Sequence, residues 1–373
     1  MISCGEASGD LYAGALTREL MARDPGCEVI GFGGDRLREA GAHLAGDYRG
    51  LAVTGLTEAL RVLPRSLTMY RTLRAVARER RPAVFVAIDF PDFNFRLAGA
   101  MHTLGIPVVY YISPQLWAWR HRRIYAMKRF VTKVLVIFPF EVAIYEREGI
   151  PVDFVGHPMI DLLRITDSRE GFLESQHLDP AAPTVALLPG SRRNELRAIA
   201  PVLAGAAARI ARQLPRAQFV VARAPHLGDA LFDPLMSAGV RLSIVEDRTD
   251  DVLHAADVVI TASGTATVQT ALHERPMVIV YRLSPLTYRL GRRFVRVDTF
   301  GMANLIAGRT IVPELIQDDF TPERTASEAL RFLTDPSAAA SARQDLADVR
   351  QRLGASGASG RAAEEVLKIA HSH

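Results

Sequence analysis

The chain runs to 373 residues, roughly two and a half times a typical domain of about 150, so two domains with added elements are expected and a single disulfide-stapled module is excluded. Hydrophobic residues make up 49% and charged residues 23%, which supplies apolar surface for two full cores and excludes long disorder. The formal charge is only +4, but it is written with 42 arginines and three lysines; the planar arginine fork suits anionic ligands, nucleic acid or acidic lipid, although a GC-rich genome would also choose arginine over lysine.

Short β-branched runs alternate with helical patterns along most of the chain, the signature of parallel sheets with helices on both faces. In the first half the spacing predicts strands at 2–4, 29–32, 84–89, 107–113, 133–138 and 153–155, with helices at 10–23, 57–80, 93–104 and 141–148. The first of these strands is short by several residues, as if trimmed. A stretch enriched in Asp, Ser and Gln at 161–183 separates a second series, with strands at 184–188, 218–222, 241–245, 258–262 and 277–281 and helices at 195–213, 266–273 and 323–333. The expected fold class is therefore α/β: two doubly wound, Rossmann-like domains, 1–160 and 161–337, facing across a cleft. The Ala-rich stretch 338–373, interrupted by a Gly/Ser/Ala linker at 354–360, is expected to form helices that pack back across the hinge. Cys4 and Cys27 support neither a disulfide framework nor a zinc site, so a reducing compartment is expected. Nothing ahead of Asp10 reads as a secretory leader. The longest apolar runs, 84–88 and 134–138, are strand-sized, against the roughly 18 residues that span a bilayer, so any membrane contact is expected to be peripheral.

In open α/β sheets ligands sit outside the carboxyl ends of the strands, so the loops after strands carry the candidate chemistry. The first, Gly5-Glu6-Ala7-Ser8-Gly9-Asp10, has small residues that admit a ligand to the backbone and a following helix that offers N–H groups. It also reads as a plain glycine turn with Asp10 as a helix N-cap. Gly31-Phe32-Gly33-Gly34-Asp35-Arg36 puts arginine where a dinucleotide fingerprint needs its third glycine, which disfavours a nicotinamide dehydrogenase. Asp89 ends a strand and is a candidate general base, or a structural carboxylate; Asp92 reads as a helix N-cap. Trp117 and Trp119 run directly into Arg120, Arg122 and Arg123, an aromatic and cationic surface for a base, a sugar face or a membrane interface. Leu188-Pro189-Gly190-Ser191-Arg192 places N–H groups, a hydroxyl and a bidentate cation together as a pyrophosphate cradle. It lacks the ending of a Walker loop, so ATP hydrolysis is not implied. Ser263-Gly264-Thr265 follows the same logic, and two such loops in one domain point to a nucleotide diphosphate.

Taken in order, these segments resemble the lipid-A-disaccharide synthase family, inverting glycosyltransferases of the two-domain GT-B architecture. The resemblance also rests on Pro139-Phe140-Glu141, Val155-Gly156-His157-Pro158, Asn304-Leu305-Ile306-Ala307-Gly308 and Pro313-Glu314-Leu315-Ile316-Gln317, and it covers nearly the whole chain. It implies transfer of 2,3-diacylglucosamine from its UDP derivative to 2,3-diacylglucosamine 1-phosphate (lipid X), giving a β-1,6-linked disaccharide phosphate and UDP. By the same resemblance the N-terminal domain holds the acceptor, with Glu6, Ser8, Asp10, Trp117, Arg120 and Arg123 as acceptor-side candidates, and Asp89 is the general base. Arg192 meets the donor diphosphate, and Gly190, Ser191, Ser263, Gly264, Thr265, Asn304 and Gln317 complete the donor site. The family commonly has an acidic residue where this chain has Gln269; if that position meets the ribose hydroxyls, glutamine still accepts a hydrogen bond but loses the charge. No cofactor and no metal are expected, since Asp250-Asp251 and Asp318-Asp319 are adjacent pairs at helix starts rather than an Asp-x-Asp motif. His157 reads as a hinge residue or a ligand contact.

Acylated substrates require access to a bilayer surface. The stretch 61–81 holds seven arginines and one acid, 120–133 six bases and no acid, and 282–296 five bases and no acid, leaving the rest of the chain at −13. The segments 60–76 and 281–297 interleave these arginines with leucine, tyrosine and phenylalanine, as expected of a cytoplasmic enzyme that docks peripherally on anionic lipid at the inner membrane. Nucleic acid is not an expected partner, because no recognised binding module accompanies the basic segments. A homodimer through the C-terminal region is compatible with the sequence. The competing readings are another UDP-sugar enzyme of the same architecture, either a UDP-N-acetylglucosamine 2-epimerase or a lipid II-type glycosyltransferase, and a non-catalytic anionic-lipid-binding protein.

Overall fold

Uninterrupted apolar runs such as 85–88 and 185–188 have no polar alternation, so strands built from them must be covered on both faces. A computed structural model of the chain, which describes residues 1–49, 56–116, 121–225, 227–282, 299 and 301–372, places those strands at the centres of two parallel sheets. The first sheet has the order β3-β2-β1-β4-β5-β6-β7, from β1 (Ile2–Cys4), β2 (Ile30–Gly33), β3 (His43–Asp47), β4 (Phe85–Ile88), β5 (Val108–Tyr111), β6 (Lys133–Val136) and β7 (Val152–Phe154). All its pairings are parallel, with one irregularity between Gly31 and Phe32. Helices α1 (Ala7–Arg23), α2 (Asp35–Glu39), α3 (Leu56–Arg80) and α4 (Pro91–Thr103) are among its crossovers.

The second sheet has the order β10-β9-β8-β11-β12-β13, from β8 (Thr184–Leu188), β9 (Gln218–Arg223), β10 (Leu242–Glu246), β11 (Val258–Ala262), β12 (Met277–Tyr281) and β13 (Glu314–Ile316). Each sheet reverses its order once, between β1 and β4 and between β8 and β11. Those reversals are the topological switch points, where the crossovers leave on opposite faces and open a crevice at the strand carboxyl ends.

The chain divides into two compact units after Leu162, and residues 353–373 return to the first. The expected C-terminal piece 338–373 is therefore split. Helix Pro336–Arg352 belongs with the second sheet, whereas helix Ala358–His371 lies against α1 of the first. The return is fixed by main-chain contacts: the His157 N–H donates to the Leu353 carbonyl at 2.9 Å and the Gly357 N–H to Asp161 Oδ1 at 2.6 Å. Arg361 Nε donates to the Val155 carbonyl at 2.8 Å, and Gly156, at φ +83°, has no room for a side chain beside the same arginine. The predicted strands match within a residue or two, but β3 and β13 were not predicted. Both are edge strands, and only one residue of β13 and none of β3 is fully buried, so neither has a hydrophobic pattern to read.

Candidate active site

At the first switch point the chain leaves β4 through two successive non-glycine residues in the left-handed region, Asp89 at φ +44° and Phe90 at φ +46°. That conformation persists only where the surroundings enforce it. The Asp89 carbonyl accepts hydrogen bonds from Asn94 Nδ2 (2.8 Å) and the Tyr110 hydroxyl (2.9 Å). Asn94 is fully buried; its amide also donates to the carbonyls of Ser3 and Ile88 and accepts from the Ser3 hydroxyl, stitching the ends of β1 and β4 together. The Phe90 ring lies over Gly5, where a Cβ would come within 2.1 Å of it. Glycine at position 5 is thus a packing requirement. Asp89 is left half-buried at the strand end, close enough to Tyr12 and Tyr110 that its charge, after burial, helps raise the pKa of both phenols. Tyr12 is buried and its hydroxyl has no hydrogen-bond partner. Neither Asn94, Tyr110 nor Tyr12 stood out as a site residue in the sequence; each reaches Asp89 through the fold rather than through chain proximity.

Several acceptor-side candidates have other occupations. Glu6 is the N-cap position of α1, without a side-chain capping bond, and Ser8 is half-buried in the first turn. Asp10 does not cap its own helix: its buried carboxylate accepts from the backbone N–H groups of Gly34 (2.6 Å), Arg36 (3.0 Å) and Leu37 (3.2 Å), and so caps α2. Burial raises its pKa against the pull of those three donors. Asp10 therefore builds the scaffold. Arg123 is ion-paired with Asp92 and sits over the Phe95 ring at 5.2 Å, tying helix Ile124–Phe130 to α4. Asp92 lies inside the first turn of α4 rather than at its N-cap, which is Phe90. Trp117 and Arg120 lie outside the described residues.

In the second unit β8 leads through Gly190 (φ +108°) to helix Arg193–Gln213, with Arg192 at its N-cap position. Arg192 Nη1 pairs with Glu195 Oε1 at 3.2 Å on the first turn, and a side chain at position 190 would strike the same glutamate. Ser191 is exposed beside it. Tyr281, at the end of β12, has its pKa raised by burial and by Glu195 and opposed by Arg192, which adds a phenol to this cluster that sequence reading missed. Its position at a strand end was the signal. Next to β8, β11 ends at Ser263 and Gly264, the latter at φ +147° with open space where a Cβ would stand. Thr265 begins the following helix, Thr265–Leu272, and Thr267 Oγ1 closes its first turn on the Gly264 carbonyl at 2.7 Å. Gly190, Ser191 and Arg192, and Ser263, Gly264 and Thr265, thus flank the second switch point on adjacent strands.

Asn304 is held by its own turn. Its amide donates to the Val312 carbonyl and Glu314 Oε1, and its carbonyl accepts from the Ile311 and Val312 N–H groups, so every strong position is used to shape the turn before β13. Gln317 is the opposite case: it follows β13 at φ +56°, and its Nε2 is buried without a hydrogen-bond partner. Strain and a buried donor without a partner set Gln317 apart from its neighbours on this turn. Gln269 lies one turn into helix Thr265–Leu272 and donates through Nε2 to Asp250 Oδ1 at 2.8 Å. Most of the segment 281–297 lies outside the described residues, while Arg282 is turned inward onto the Phe320 carbonyl and ring.

The lipid-A-disaccharide synthetase family model matches residues 1–369. The curated lipid-A-disaccharide synthase of Geobacter sulfurreducens is 44% identical over 99% of this chain and 96% of its own length; that of Myxococcus xanthus is 41% identical over 99% and 97%. The chain belongs to the lipid-A-disaccharide synthase family. It is accordingly a glycosyltransferase, and solved structures agree at the level of fold. A UDP-GlcNAc 2-epimerase from Neisseria meningitidis bound to UDP-GlcNAc superposes at a TM-score of 0.71 with 14% identity, covering 98% of this chain and 99% of that one. The glycosyltransferase of kitacinnamycin gives 0.68 with 20% identity, over 99% and 98%. Within the lipid-A-disaccharide synthase family reading, the GT-B class expected from the sequence holds, built as two parallel α/β sheets.

His157 of this synthase family member is wholly buried. Its ring packs 5.4 Å from Phe138 and 6.0 Å from Tyr12, its Nδ1 accepts the Met159 N–H at 3.1 Å, and burial pulls its pKa from 6.5 down to about 3. A neutral imidazole is therefore required by the fold. Below the unfolded value of 6.5 the unfolded chain binds a proton that the folded one refuses, so stability falls as pH drops from 6.5 toward 3, by up to about 1.4 kcal/mol per pH unit. Urea unfolding at about pH 7 and pH 4 checks this: the wild type should lose about 3 kcal/mol more than His157→Gln over that interval. Equal losses would remove the assignment.

Proposed function

We propose that the chain transfers 2,3-diacylglucosamine from UDP-2,3-diacylglucosamine to 2,3-diacylglucosamine 1-phosphate with inversion, Asp89 acting as the base and Arg192 stabilising the departing UDP. The first unit carries the acceptor and the second the donor. Asp89 removes the proton of the acceptor 6-hydroxyl as that oxygen attacks the anomeric carbon; the bond from that carbon to the diphosphate oxygen breaks, and the electron pair leaves on UDP. Arg192 and the N–H groups after Gly190 and Gly264 face the charge that develops on the diphosphate, where preorganised donors lower the barrier most. Gln317 supplies its unsatisfied amide as a further donor. The observation that carries the reading is the pair of switch points. One presents a carboxylate on an enforced left-handed turn, the other two glycine loops with an arginine. Release of UDP that requires both acylated substrates is the expected result. Conversion of UDP-GlcNAc alone into an isomeric UDP-sugar, with no net release of UDP, would instead favour the epimerase-type reading.

Both substrates are acylated, so we place the working enzyme peripherally on the cytoplasmic face of the inner membrane. Among the described residues no helix is long and apolar enough to cross a bilayer. Helix α3 buries Leu73 and Ala77 against the first sheet but leaves Leu63 and Leu67 about half exposed, next to the exposed Arg65, Arg71 and Arg74. Tyr125 is exposed beside Lys128 and Arg129. These leucines and cations suit an interface of acyl chains and anionic head groups. Flotation with anionic vesicles at low salt should recover the protein, with less recovered as salt shortens the screening length to about 10 Å at 0.1 M. Leu63→Ser with Leu67→Ser should weaken vesicle binding by at least about tenfold, the leucines contributing about 1.5 kcal/mol or more each when buried. Unchanged binding would exclude α3 as the docking element.

A further inference from the structure

We infer that Asp250, outside the loops assigned above, is a positioning residue of the nucleotide site that fixes the orientation of Gln269 and makes glutamine, rather than an acid, the residue this chain needs there. The inference rests on the donor-site reading of the second unit. Asp250 begins helix Thr249–Ala255 and is mostly buried, its side chain 12% exposed. Its Oδ2 accepts the Arg164 N–H at 2.8 Å; its Oδ1 accepts Gln269 Nε2 at 2.8 Å and meets His273 Nε2 at 2.9 Å. Burial alone would raise its pKa, but the bonds from His273, the Arg164 N–H and Gln269 outweigh it and hold the carboxyl below its ordinary value.

An ionised carboxylate can only accept, so the group that Gln269 turns toward Asp250 must be its NH2. The amide oxygen then has to point the other way. That oxygen is the acceptor which a vicinal diol, such as the ribose of UDP, requires. Gln269 lies on helix Thr265–Leu272 one turn before His273, its C-cap position, and the N-terminus of that helix is the Ser263-Gly264-Thr265 loop, so the acceptor is presented on the helix that follows the proposed diphosphate loop. The negative charge of this pair stands at position 250, one hydrogen bond behind the Gln269 amide. A glutamate at 269 would set two carboxylates in contact at the distance where Gln269 now donates, and one of them would have to be protonated or swing away.

The test is a double-mutant cycle on full-length protein, reading UDP affinity by calorimetry and donor KM and kcat separately. Asp250→Asn frees the Gln269 amide to flip and should weaken UDP and raise donor KM by about tenfold, with kcat at saturating donor little changed. Gln269→Glu should weaken UDP at least as much. The combination Asp250→Asn with Gln269→Glu, which restores one charge and one amide in exchanged places, should return affinity to within about threefold of wild type. A merely structural Asp250 would give no such rescue. Asp250→Asn with wild-type UDP affinity, or a double variant no better than Gln269→Glu alone, would overturn the inference. Gln269→Ala with unchanged UDP affinity would instead show that the nucleotide is not beside this helix, which would count against the donor-site reading itself.

Discussion

Asp89→Asn is expected to lower turnover by about 10²- to 10⁴-fold, the range that a positioned general base contributes, while leaving UDP affinity within about twofold. The expectation follows from how the turn is held. Asn94 and Tyr110 both grip the main-chain carbonyl of residue 89, not its side chain, so the left-handed Asp89-Phe90 turn has its support in the variant too. The substitution changes one oxygen to an NH2 and removes the ability to take up a proton at neutral pH. A fall in kcat without a fall in folding stability is therefore the signature, measured by steady-state assay beside a thermal melt. Turnover within about threefold of wild type would falsify the base assignment. Loss of folding would point instead to a structural carboxylate.

Much of the fold could be read before any coordinates. The central strands β4, β5, β8 and β11 are apolar runs with at most one threonine each, and strands buried on both faces have few other ways to be written. β3 and β13 could not be read, because an edge strand is defined by the neighbour it pairs with more than by its own residues. The loops were legible for a related reason. A glycine or a short polar residue directly after an apolar strand marks where backbone must approach something, and Gly190, Gly264 and Asp89 all stand at such points.

Partnerships were not legible. Asp10 looks like a helix cap in sequence and is one, but for α2 rather than α1, because the parallel pairing of β1 with β2 brings the two helix starts together. Arg123 reads as part of a cationic surface and is instead paired to Asp92 across two helices. Asn304 and Gln317 are similar as amides near β13; one is saturated by its own turn and the other has a buried donor left over. Nothing local in the chain distinguishes them. The sign of each candidate's role depends on which backbone groups the tertiary fold leaves unpaired, a property of contacts far apart in sequence.

Arg192→Ala is expected to reduce kcat/KM by about 10²- to 10³-fold with the melting temperature nearly unchanged. The two halves of that statement have one cause. The Arg192 side chain is 41% exposed, and its pair with Glu195 is an i,i+3 contact of a kind worth about 0–1 kcal/mol to folding. This partly exposed arginine stands at the N-cap position of a 21-residue helix, after a glycine that a side chain could not replace without striking Glu195. There its guanidinium and the N–H groups of the helix start act in one direction, toward negative charge. That charge is greatest as the bond to the diphosphate breaks, so the loss should appear in kcat as well as in donor KM. Arg192→Lys keeps the charge but not the fork and should fall between wild type and alanine. Glu195→Gln, which removes the acid beside Arg192 but leaves an acceptor, should disturb catalysis far less than either. If Arg192→Ala instead melts early and retains its kcat/KM, the arginine belongs to the scaffold, and the diphosphate must be held by the N–H groups of the two glycine loops alone.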